Sequence, residues 1–114
     1  MIKKIFIVLI TIPIFGCVYA NNRIGENVKF GTKAALTNLW KEAEFRWRMA
    51  LEEDPNNFKA MNNLAVAYER LGKLEFAKET YEKALKISKN NPYVKKNYDS
   101  FLLYYKKQKN EKNR

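Results

Sequence analysis

Six residues set the length scale of this chain. Ala43, Trp47, Ala50, Leu51, Asn56 and Asn57 return 34 residues later as Ala77, Tyr81, Ala84, Leu85, Asn90 and Asn91. A self-match at that period, with an aromatic between two alanines, marks an array of helical hairpins that bury their apolar faces against one another. The clearest copy is residues 57–91. There Met61, Leu64, Ala65, Tyr68 and Leu71 recur at three- and four-residue steps and share one helix face. Leu74, Ala77, Tyr81, Ala84 and Leu85 do the same on a second helix. The short link Gly72-Lys73 turns the chain back, and Gly72 ends the first helix in a left-handed conformation without steric cost. Alanines at 65, 77 and 84 predict a close approach of the two axes. A larger side chain at Ala77 is expected to overpack the pair at a cost of about 1–3 kcal/mol.

Residues 24–57 form a degenerate first copy. Phe30, Gly31 and Ala34 occupy the places of Leu64, Ala65 and Tyr68. The aromatic is missing at Ala34, which predicts a weak first helix, short or frayed. The second helix, from Thr37 to Glu53, carries a continuous stripe of Leu39, Trp40, Ala43, Trp47, Ala50 and Leu51. Glu42 with Arg46, and Glu44 with Arg48, are spaced as i,i+4 ion pairs on a solvated face. Pro55, in the link EEDPNN, is matched by Lys89 in the next copy. Beyond it, Asn91 as N-cap and Pro92 at the first helical position start a capping helix over 92–106. Its stripe is Val94, Tyr98, Phe101, Leu102 and Tyr105. Tyr93, Leu103 and Tyr104 fall off that stripe and are expected either to cover the lid or to meet a partner or a second copy.

Leu64, Ala65 and Tyr68, then Ala77, Tyr81 and Ala84, with DPNN at 54–57 between units, resemble the tetratricopeptide-repeat family. The resemblance implies an all-α fold: a short right-handed superhelix of antiparallel hairpins, about two units (24–57 and 58–91), closed by the capping helix. It also implies a concave groove, lined by the first helix of each unit, that takes a partner protein or peptide. Carried over residue by residue, that groove is Lys59, Asn62, Asn63, Val66 and Arg70 on the central unit, with Lys96, Asn97 and Ser100 on the last helix. Lys29 and Thr32 are the first unit's share.

Composition removes most alternatives. The chain has no histidine and a single cysteine, Cys17, so imidazole acid–base chemistry, the common zinc sets and an internal disulfide are excluded. Glu79, Ser88 and Ser100 have no base at a useful spacing, and no glycine loop cradles a phosphate. Neither enzyme activity, metal nor cofactor is expected. Met61, Leu64, Tyr68 and Tyr81 are spaced as core, not as a ligand pocket.

Residues 1–20 read as an export signal, with Lys3 and Lys4 before an uncharged run from Ile5 to Phe15. Counted to Ala20 the apolar stretch is 16 residues, below the roughly 20 that a spanning helix needs. Ile14-Phe15-Gly16-Cys17 resembles a bacterial lipoprotein signal, which makes Cys17 the lipid-bearing residue. Cleavage after Ala20, or retention as an uncleaved anchor, stays open. Residues 21–27 are then a polar linker. All three routes place the domain outside the cytoplasm, in the bacterial envelope.

The net charge of +10 is concentrated at one end. Residues 18–85 hold 11 basic and 10 acidic side chains, whereas residues 86–114 hold nine and two. Residues 107–114 are expected to be a disordered basic tail, solvated or lying on anionic headgroups. Nucleic acid is not an expected partner; an envelope protein or peptide is, and a homo-oligomer is left open.

Overall fold

The structure, a computed structural model, describes the backbone from Ile14 to Arg114 and the side chains from Arg23 onward. The expected export signal therefore lies outside the described residues except for the backbone of its last seven. Five helices follow: α1 (Ile14–Leu36), α2 (Trp40–Glu53), α3 (Phe58–Arg70), α4 (Leu74–Ile87) and α5 (Pro92–Lys112). Among the described residues there is no strand. None of these helices is long and apolar enough to cross a membrane.

The 34-residue repeat holds down to single hydrogen bonds. After α3, Gly72 adopts φ 72° and Lys73 N–H donates to Tyr68 O at 2.8 Å. One period earlier, Asn38 adopts φ 60° and Leu39 N–H donates to Ala34 O at 2.9 Å. Asparagine is one of the few side-chain-bearing residues that enter the left-handed region readily, so it replaces the glycine. The turns run Thr37–Leu39 and Leu71–Lys73. Each is one residue longer than the two-residue link suggested, and α2 starts at Trp40, not Thr37. Asn57 caps α3 by accepting from Ala60 N–H at 3.0 Å, and Asn91 caps α5 with Pro92 in the first turn, as its sequence predicts.

No unit has a core of its own. Ala34, Ala43 and Trp47 of the first hairpin pack with Leu64 and Ala67 of the second. Ala65, Ala77 and Tyr81 pack with Phe101 of α5, and Met61 and Ala84 pack with Val94. Alanines 43, 50, 65, 77 and 84 are fully buried, which is what lets the axes approach.

The first helix is not the frayed element expected. It is the longest of the five, and residues 21–27, read as a linker, lie inside it. Trp47 is the reason. Its indole lies across Gly31, where an added Cβ would stand 2.6 Å from Nε1, and donates to Val28 O at 3.3 Å. The tryptophan on α2 thus fills the space that the missing aromatic at Ala34 leaves. Arg23 reaches Glu53 at 2.8 Å and ties the far end of the hairpin.

Two further expectations are corrected. Glu44 does not pair with Arg48. It is nearly buried and takes Lys73 Nζ at 2.8 and 3.0 Å, bridging α2 to the turn after α3. Residues 107–112 are not a disordered tail. They continue α5, because Lys109 Nζ sits 2.7 Å from Glu75 on α4 and Tyr105 Oη donates to the same carboxylate at 2.7 Å. One turn pair below, Tyr98 Oη donates to Glu82 at 2.8 Å, and Phe101 packs among Tyr81, Tyr98 and Tyr105.

Candidate partner-binding groove

Successive antiparallel helices make α1, α3 and α5 parallel. They are the first helices of their units and share one side of the array. Of the residues expected there, Lys59, Arg70 and Lys96 are exposed, and Asn63, Val66 and Asn97 are half-buried. Val66 leans on the Ala65–Tyr81–Phe101 cluster. Arg70 extends over the Trp40 ring, its guanidinium 5.3 Å from the ring centre, a cation–π contact that holds the charge in one place.

Asn62 is not a groove residue. It is 1% exposed, accepts from Asn97 Nδ2 at 3.1 Å and donates to Asn63 Oδ1 at 3.4 Å. The three amides form a chain from α5 to α3, each satisfying the next as burial requires. Asn97 is spent in the same way, and Asn63 keeps only its amide N–H groups for a ligand. The helical spacing put Asn62 and Asn97 on first-helix positions but gave no sign that they face each other.

What remains is a cationic face. Lys29 on α1, Lys59 and Arg70 on α3, and Lys96 and Lys107 on α5 are all exposed. Glu69, the acid nearest to them on α3, turns instead toward α4 and accepts from Tyr81 Oη at 3.3 Å. Burial, and then the Glu69 charge, push the Tyr81 hydroxyl far above its ordinary range, so it serves as a donor only. Tyr93, Leu103 and Tyr104 are exposed, as their position off the stripe suggested.

A second cleft opens between α2 and α4 and corrects an expectation: three of the four residues spaced as core and not as a pocket, Met61, Leu64 and Tyr68, line it. Its volume is about 450 Å³, with Met61, Leu64 and Tyr68 as floor and Arg48 and Phe76 on its walls. The first two of those floor residues are core, as expected, and Tyr81 is wholly so.

Comparison with known proteins agrees with this geometry. Residues 58–91 match the family model of the tetratricopeptide repeat. Over 93% of this chain and 70% of the other, the structure superimposes on the C-terminal tetratricopeptide-repeat-containing domain of an FK506-binding protein from Plasmodium falciparum, with a TM-score of 0.79 and 26% identity. The fold is that of a tetratricopeptide-repeat domain. No curated protein matches the sequence. Tetratricopeptide repeats are modules of protein–protein interaction, and the matched unit, α3 with α4, supplies the middle of the cationic face.

Proposed function

We propose that this chain is a non-enzymatic scaffold of the bacterial cell envelope that holds a partner protein or peptide on the face of α1, α3 and α5. The carrying observation is the separation of charge: Lys59, Arg70 and Lys96 project from that face, while Glu69 is turned away to Tyr81. Such a face selects a segment bearing carboxylates, and Asn63 adds donors for a peptide carbonyl. Export and a lipid on Cys17 complete the reading; the Cys17 side chain lies outside the described residues. The mass of the mature N-terminus from membranes distinguishes an acylated Cys17 from a chain that starts at Asn21.

The test of the groove is capture of a partner by the full chain, followed by the double change Asn63→Ala with Arg70→Ala. Arg70 is exposed, so Arg70→Ala alone should lower binding with the fold intact. Asn63 is half-buried and accepts from Asn62, so the double change should lower binding further and is read beside a thermal melt. Binding that persists unchanged refutes the groove. The affinity should also drop steeply with salt, since exposed charges are screened within about 8 Å at physiological ionic strength.

A further inference from the structure

The two ends of the array differ. At the α5 end Tyr93, Leu103 and Tyr104 are also exposed, but the charges next along the helix, Lys106 and Lys107, are of one sign. There Lys95 pairs with Asp99 at 2.6 Å, and the Tyr98 and Tyr105 hydroxyls bind α4 carboxylates. At the α1–α2 end, Phe30 is 49% and Phe45 53% exposed. The guanidinium of Arg46 lies between them, 5.5 and 5.7 Å from the two ring centres, and pairs with Glu42 at 2.6 Å. Phe30 stands one period before Leu64, and Phe45 one period before Glu79, both of which line the cleft beside α2. Among the described residues no helix lies against this end as α2 lies against α3.

We propose that a second copy of this chain covers this end, in a two-fold dimer whose axis runs parallel to α1. Three observations choose that occupant. A solenoid end needs a polar cap or a cover, and two large rings half in water are neither. Continuation by another unit is opposed by charge: Glu26 and Lys33 stand where the next unit buries Ala60 and Ala67. An isologous contact, by contrast, requires self-complementarity, which a patch carrying both signs around two phenylalanines provides.

The register follows from the hairpin itself. Arg46 over Phe30 puts that stretch of α1 level with Phe45 and Arg46 of α2. Rotation about an axis along the helices preserves height, so Phe30 of one copy meets Phe45 of the other. Because α1 and α2 run antiparallel, three residues on from Phe30 is level with three residues back from Phe45. Lys33 therefore faces Glu42 of the second copy. The result is a four-helix bundle in which every neighbouring pair is antiparallel.

The experiment is sedimentation equilibrium of the full chain in density-matched detergent micelles. The wild type should sediment with two chains per micelle, and Phe30→Asp with Phe45→Glu should halve that mass while helical circular dichroism is unchanged. Lys33→Glu alone should weaken the dimer at least tenfold, and Lys33→Glu with Glu42→Lys should restore it. A photo-reactive benzoyl-phenylalanine at position 45 should label α1 of a second copy. A one-chain particle for the wild type overturns the proposal, as does a dimer indifferent to the phenylalanine changes. Labelling of residues 1–13 or of another protein in place of a second copy also overturns it. These residues are separate from Asn63 and Arg70, so the outcome is independent of the groove.

Discussion

At the residue scale, two glycines do opposite work. Gly72 supplies a left-handed backbone and has nothing within 4 Å of an added Cβ, so Gly72→Ala should cost about 1 kcal/mol, all of it conformational. Gly31 supplies space. Gly31→Ala drives a methyl into the Trp47 indole and should cost about 1–3 kcal/mol, the range for an overpacked core. Chemical denaturation of the two variants checks both, and the Trp47 emission should shift only for Gly31→Ala. Asn62→Ala is a third case. It removes the acceptor for Asn97, and leaving that amide short of a partner should cost about 1–3 kcal/mol. A change at a genuine ligand residue would instead leave stability alone.

At the element scale, α5 is fastened by carboxylates. The side-chain bonds from Lys109 and then Tyr105 hold Glu75 below the usual carboxylate range, and those from Lys78 and then Tyr98 do the same for Glu82. Both acids bind protons less readily folded than unfolded. Their contribution is complete above the unfolded value, about 4.3, and is lost as pH falls through the lower folded values. The hydrogen-exchange protection factors of α5 amides should therefore fall below about pH 4, ahead of those of α3. Glu75→Gln with Glu82→Gln should remove most of that acid step. The helices themselves were legible because alanine, tyrosine and leucine recur at fixed offsets. The extent of α1 and α5 was not, because it rests on long-range partners. Lys109 stands one period after Glu75, and Trp47 with Gly31 returns as Tyr81 with Ala65, but the period alone does not show that these side chains meet. Glu44 likewise had a local partner at ideal spacing in Arg48 and took a distant one in Lys73.

At the scale of the whole molecule, the core clusters all cross from one unit to the next, so no piece should fold alone. Removal of residues 92–114 strips Phe101 and Val94 from Tyr81 and Met61, and cooperative unfolding of the remainder should be lost in a thermal melt. The first-helix positions were legible in the sequence, but which amides are free there depended on the α3–α5 approach. Because α1 is unbroken from Ile14 to Leu36, its leading nine residues rise about 13 Å as one rod with the flank of the groove. There is no joint along it. A displacement at Asn21, where the expected export signal ends, is therefore carried along a single helix to Leu36, at the turn into α2.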